Sequence, residues 1–300
     1  MIALHVLFYI VPALIVVLLV VYVIIESSGF RCVEYTLETD KTDKDLKIAM
    51  ICDLHNKDYG NENEALIETI DAFHPDFVCF AGDMVTSGWD VSFNYQKTLG
   101  FMKKLAAKYP IYYGFGNHEQ NFNEDRKKFP HEFDDLKKAL EDMQIPLLDN
   151  ERIVLDRYHT VICGLNLEYD FYRGRDEKEL TAQMIEERLG KADKERYVIL
   201  LAHNPVYFKE YAKWGADLVL SGHVHGGIVS LPFIGGLVAP GFKLFPKYDA
   251  GLFREDQTDM VLSRGAGYHS VPVRINNKAE IVCLTVKGVQ HESECETAGV

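Results

Sequence analysis

Cysteine is sparse in this chain: six in 300 residues, at Cys32, Cys52, Cys79, Cys163, Cys283 and Cys295. No two form a C-x-x-C pair, which argues against a thiolate zinc cluster or the disulfide framework of a small secreted domain. Cys52 and Cys79 sit in apolar runs and read as small buried hydrophobes. This usage favours a reducing compartment. Basic residues are also short, with 32 Lys and Arg against 45 Asp and Glu and a formal net charge of −13. That balance argues against nucleic acid, or an acidic lipid surface, as a nonspecific electrostatic partner. It leaves small phosphate substrates open, because bound cations reverse the field locally. There is no internal repeat, and the length suits one large α/β domain.

Charge is missing altogether from Ile2 to Ile25, a run rich in Val, Leu and Ile. It exceeds the roughly 20 residues a bilayer span needs. A cleaved signal peptide fits less well: no Lys or Arg opens the run, it is too long, and no A-x-A site follows. The expectation is an uncleaved anchor over residues 1–25, a polar linker over 26–45, a folded domain over 46–287 and a polar tail over 288–300. Arg31, Lys41 and Lys44 follow the span and no basic residue precedes it, which points to a cytoplasmic domain.

Within the domain, Leu46–Cys52, Asp76–Ala81 and Ile111–Phe115 are near-continuous apolar runs, typical of strands covered on both faces. Helical periodicity lies between them, over about 62–73 and 93–108. A charged surface loop and helix follow over 121–141. Further strands are expected near 153–155, 160–165, 197–202, 217–220, 260–263 and 281–286, with a helix over about 177–189. Residues 228–253 read as an irregular excursion over the rim of a site. Strand–helix alternation implies right-handed βαβ units and a layered α/β fold. Its polar residues stand just past the carboxyl ends of the strands, where such sheets build sites.

Those residues are Asp53-Leu54-His55, Gly82-Asp83, Gly116-Asn117-His118-Glu119, His203 and Gly222-His223-Val224-His225-Gly226. Each alone has a bland explanation: a helix cap, a turn, a satisfied core histidine. Five such motifs at five strand ends do not. In extended backbone two histidines at i and i+2 point the same way. Mixed carboxylate, imidazole and amide donors without thiolate suit Mn, Fe or Zn. Seven donors exceed what one ion takes while keeping room for water, so two divalent ions about 3.5–4 Å apart are the economical reading.

In these five blocks the sequence resembles the calcineurin-like metallophosphoesterases, over about Leu46 to Val286. The resemblance implies that Asp53, His55 and His225 hold one metal, that Asn117, His203 and His223 hold the other, and that Asp83 bridges. It implies a phosphoester substrate hydrolysed by a water activated between two transition-metal ions. His118 would stay off the metals as proton donor, with Glu119 as its orienting partner. The span, Leu231–Gly236, Phe245–Tyr248 and Ser263-Arg264-Gly265 look like a bacterial membrane-associated phosphodiesterase branch. Members of that branch are often exported, against the charge rule, so the side of the membrane stays open. Thr86 stands where the purple acid phosphatases have a tyrosine ligand, which removes a tyrosinate–iron site.

A runner-up is a pyrophosphate hydrolase of lipid-linked nucleotides, which would use the same ligands. A rival of another class is a catalytically silent membrane-anchored scaffold. Phe233, Ile234, Leu237, Val238, Phe242 and Leu244 offer an apolar surface beside the histidine loop for a lipid-linked substrate, or else pack on themselves.

Overall fold

The computed structural model describes residues 2–87, 95–172, 178–227, 229–231, 235–239, 243–268 and 273–289. A 27-residue helix, α1 (Ile2–Ser28), opens the chain with Pro12 inside it. From Phe8 to Ser28 it is long and apolar enough to cross a membrane, and that window is not buried against the rest of the chain. At 1.5 Å per residue these 21 residues reach about 31 Å, close to the hydrocarbon thickness of a bilayer.

Only Gly29 separates α1 from a ten-residue strand, β1 (Phe30–Thr39). This corrects the linker expected over 26–45. Val33, Tyr35 and Leu37 turn inward while Arg31, Glu34 and Glu38 face out, so the strand reads as polar in sequence. Its partner, moreover, lies some 250 residues away. The strands β2 (Leu46–Ile51), β3 (Phe77–Ala81), β4 (Ile111–Gly114) and β5 (Leu147–Leu148) follow in parallel register. Between them come α2 (Glu64–Phe73), α3 (Gln96–Ala106), α4 (Asn117–Glu124) and α5 (Glu132–Asp142). Part of the helix expected from residue 93 lies outside the described residues. The stretch expected as a loop after residue 121 continues α4, which begins earlier, at Asn117.

The second half builds β6 (Glu151–Leu155), β7 (Thr160–Gly164), α6 (Ala182–Leu189), β8 (Tyr197–Leu201), α7 (Phe208–Trp214) and β9 (Leu218–Ser221). Four two-residue strands, β10 (Ser230–Leu231), β11 (Gly235–Gly236), β12 (Val238–Ala239) and β13 (Lys243–Leu244), form two small ladders in the expected excursion. Phe233, Ile234 and Phe242 lie outside the described residues, as do the side chains of Val238 and Leu244. The chain closes with β14 (Gly251–Glu255), β15 (Thr258–Leu262) and β16 (Ala279–Gly288).

Two six-stranded sheets result, in the orders β1-β16-β2-β3-β4-β5 and β14-β15-β9-β8-β7-β6. Period-two alternation sorts each buried strand between two cores. Ile48 and Met50 of β2 meet Ile199 and Leu201 of β8 between the sheets. Ala49 and Ile51 face α2, α3 and α5 on one outer side. Val198 and Leu200 face α6 and α7 on the other. The architecture is therefore four layers, helix–sheet–sheet–helix, and the parallel strands of both sheets end at the same edge.

Candidate metal centre

At that edge Asp53 and His55 follow β2, Asp83 follows β3, and Asn117 and His118 open α4 after β4. His203 follows β8, and His223 and His225 follow β9. Asp53, His55, Asp83, His223 and His225 all have positive φ, between 48° and 72°. That region disfavours side-chain-bearing residues and collects at functional sites. Gly116 has extended backbone, but a Cβ there would strike the Asp83 carboxylate, so the strand end must be glycine.

The donors fall into overlapping groups whose ligand atoms lie within 4.8 Å of one another: Asp53, His55 and His225; His55, Asp83 and His118; Asp83, His203 and His223. In the first group the Nε2 atoms of His55 and His225 are 3.1 Å apart, and His225 Nε2 is 3.3 Å from Asp53 Oδ1. In the third, His203 Nε2 lies 3.0 Å from Asp83 Oδ2. Asn117, next to His118 in the first turn of α4, has its Oδ1 buried without a hydrogen-bond partner. An orphaned buried acceptor is costly unless something cationic or donating fills the space in front of it. The residues present therefore fit a pair of divalent ions, with Asp83 shared by the second and third groups and His55 by the first and second.

Electrostatics agree. Burial, partly offset by His203 and reinforced by Asp83, pushes the Asp53 carboxyl up to about 6. Burial would also raise Asp83, but His203, His118 and His55 outweigh it and hold that carboxyl well below the usual range. For His203 burial opposes the charged form, yet Asp83 and Asp53 raise the imidazole to about 10. A cation held by the two carboxylates would therefore have to displace the ring's second proton before Nε2 could ligate. Two carboxylates sealed from water favour a cation between them.

Two histidines are polarised in opposite senses. His203 Nδ1 lies 2.7 Å from the carbonyl oxygen of Ala81, which can only accept, so Nδ1 carries a proton and Nε2 faces Asp83. This is the usual outer partner of a ligating imidazole. His118 Nδ1 accepts from the backbone N–H of Ser87 at 2.7 Å, with Ser87 Oγ at 2.8 Å. Its proton therefore sits on Nε2, which faces the site 4.0 Å from Asp83 Oδ2.

Glu119 does not orient His118, contrary to the sequence expectation. One residue further along α4 it points elsewhere, and its carboxylate accepts from Gly116 N, Asp83 N, Met84 N, Val85 N and Tyr113 OH. It thus caps α4 and holds the turn that carries Asp83. Ser87, which does orient His118, carried no sequence signal beyond following the Gly82-Asp83 motif. Nor did Asn277, whose amide donates to the carbonyls of His225 and Gly227 and fastens the histidine loop.

A family model for calcineurin-like phosphoesterases matches residues 46–227, and the chain belongs to that family. Membership defines the class as metallophosphoesterases. The chain is 30% identical over 261 residues to an uncharacterized metallophosphoesterase of Helicobacter pylori, covering 84% of this chain and 62% of that one. It is 27% identical to the uncharacterized metallophosphoesterase YkuE of Bacillus subtilis, covering 81% and 79%. A transmembrane protein with metallophosphoesterase domain from Danio rerio is 26% identical, with 81% and 53% covered. The chain thus spans about three fifths of the Helicobacter relative's length.

Proposed function

We propose that this chain hydrolyses phosphodiester bonds at a two-metal centre, with Asp53, His55 and His225 holding one ion, Asn117, His203 and His223 the other, and Asp83 both. Bound there, two ions of the Mn, Fe or Zn type would lower the pKa of a water and draw charge from the phosphoryl oxygens. His118 carries its proton on Nε2 at the edge of the same cluster and delivers it to the leaving oxygen. The opposite polarity of His203 and His118 is the observation that carries this reading. It supports a ligand role for His203, 3.0 Å from Asp83, and a donor role for His118, set back at 4.0 Å. It also speaks against a silent scaffold, which needs neither.

We further propose a membrane-anchored enzyme acting on an amphiphilic substrate. The C-terminal end of α1 is tied to the domain beside the centre. Lys57 Nζ donates to Ser27 O at 2.9 Å, Arg274 N donates to Ser27 Oγ at 2.9 Å, and Asn276 N donates to Tyr22 OH at 3.0 Å. The buried guanidinium of Arg274 in turn donates to the carbonyls of Gly265 and Gly267, which pack on Asp53 and Leu54. One arginine therefore links the end of the apolar helix to the wall of the centre. This supports a site held at the bilayer surface; the zebrafish relative's name, a transmembrane protein, is consistent with it.

The test is hydrolysis by full-length protein in vesicles, stripped of metal and reloaded with Mn²⁺, against a nitrophenyl monoester, a nitrophenyl diester, a phospholipid diester and a lipid-linked pyrophosphate. Faster turnover of diesters supports the reading. Preference for the pyrophosphate would replace it with the lipid-linked nucleotide hydrolase, and metal-independent or absent hydrolysis would remove it.

A further inference from the structure

Two cysteines on neighbouring strands of the first sheet are brought together. Cys32 lies in β1 and Cys283 in β16, which run parallel with Cys32 opposite Ile281 and Glu34 opposite Cys283. The cysteines are thus diagonal neighbours two residues apart along the ladder, on one face of the sheet. Their sulfurs are 2.6 Å apart, and both residues are thiols. A disulfide is about 2.05 Å long, so closing the bond takes a shift of roughly half an ångström.

We propose that Cys32 and Cys283 are a disulfide-forming modification site that staples the strand behind the apolar helix to the strand that closes the domain. β1 is the edge of its sheet, and β16 is its one neighbour there. That ladder, with the contacts of Ser27 and Tyr22, is what joins α1 to the domain. A covalent bond across it fixes the strand behind the anchor whatever happens to the hydrogen bonds.

The pair is asymmetric in the way thiol–disulfide exchange requires. Cys32 is exposed and Cys283 is buried. The sulfurs are in hydrogen-bond contact in which either thiol can donate, and that contact lowers the Cys32 pKa and raises that of Cys283. A lowered, exposed thiol is the attacking group. With a small disulfide as oxidant, the Cys32 thiolate attacks one oxidant sulfur, forming a mixed disulfide and releasing one thiolate. Cys283 then loses its proton and attacks the Cys32 sulfur, expelling the second thiolate. Two protein thiols are oxidised, one oxidant disulfide is reduced, and both protons leave with the two released thiols.

The test uses full-length protein in detergent with Cys295→Ser as background, equilibrated in glutathione buffers from fully reduced to fully oxidised. After acid quench and alkylation, peptides are mapped by mass spectrometry. The expected result is a peptide pair joined through Cys32 and Cys283 that grows with the oxidised fraction and disappears on adding dithiothreitol. In Cys32→Ser no cross-link to Cys283 should form, and in Cys283→Ala glutathione should remain on Cys32. If wild-type Cys32 instead keeps glutathione while Cys283 is alkylated, or if both are alkylated at every ratio, the proposal is wrong.

Discussion

The backbone N–H of Ser87 donates a 2.7 Å hydrogen bond to Nδ1 of His118. Because an N–H can only donate, the proton of the neutral ring is forced onto Nε2, the atom that faces Asp83. A ring held this way is poorly disposed to offer a metal a lone pair through Nε2 and well disposed to give up a proton.

His118→Asn should therefore leave metal content unchanged and lower turnover by roughly 10²–10⁴-fold, the usual contribution of a positioned proton donor. The loss should shrink for a nitrophenyl diester, whose leaving group departs without a proton. Steady-state rates on a nitrophenyl and an alkyl diester, beside metal analysis of the same samples, check this. Equal losses on both would point to a binding role instead.

Asp83→Asn should behave differently. Asp83 Oδ2 faces His203 and Oδ1 accepts the backbone N–H of His118. Removing its charge takes half of the carboxylate pair from the centre, so metal content and rate should fall together. Elemental analysis after exhaustive dialysis distinguishes this from a purely catalytic defect.

Asn277→Ala should weaken one half of the centre. The buried amide is a shared partner of the His225 and Gly227 carbonyls, and its loss leaves polar groups unsatisfied at a cost of about 1–3 kcal/mol. His225 belongs to the group with Asp53 and His55, so the expected outcome is preferential loss of one ion. A chelator titration resolves it, showing one weakened class of metal and one unchanged.

Glu119→Gln places an amide among donors that all point at a carboxylate. Hydrogen bonds to charged groups contribute about 1.5–3 kcal/mol, and a midpoint shift of that size is expected in denaturant unfolding. Metal affinity should fall too, because the turn from Asp83 to Val85 loses its clamp. A variant as stable as wild type with normal metal binding would show that the clamp is idle.

Much of this was legible in the chain. Strands such as Leu46–Ile51 and Tyr197–Leu201 are buried on both faces, so their apolar runs announce them. The metal-type residues follow at their ends because parallel strands deliver chain to one edge. β1 escaped notice because half of it faces water, and α4 because its first turn carries Asn117, His118 and Glu119 in place of an apolar stripe. The partners of His118 and His203 are a backbone N–H and a backbone carbonyl. Such groups exist at every residue and acquire meaning only when the fold aims them.

The most direct test of the two-metal account is metal stoichiometry by plasma mass spectrometry on full-length wild type and His118→Ala, both reloaded with Mn²⁺ and desalted. The account predicts two ions per chain in each protein, with activity in wild type rising in step with occupancy. One ion per chain in wild type, or loss of metal in His118→Ala, would contradict it.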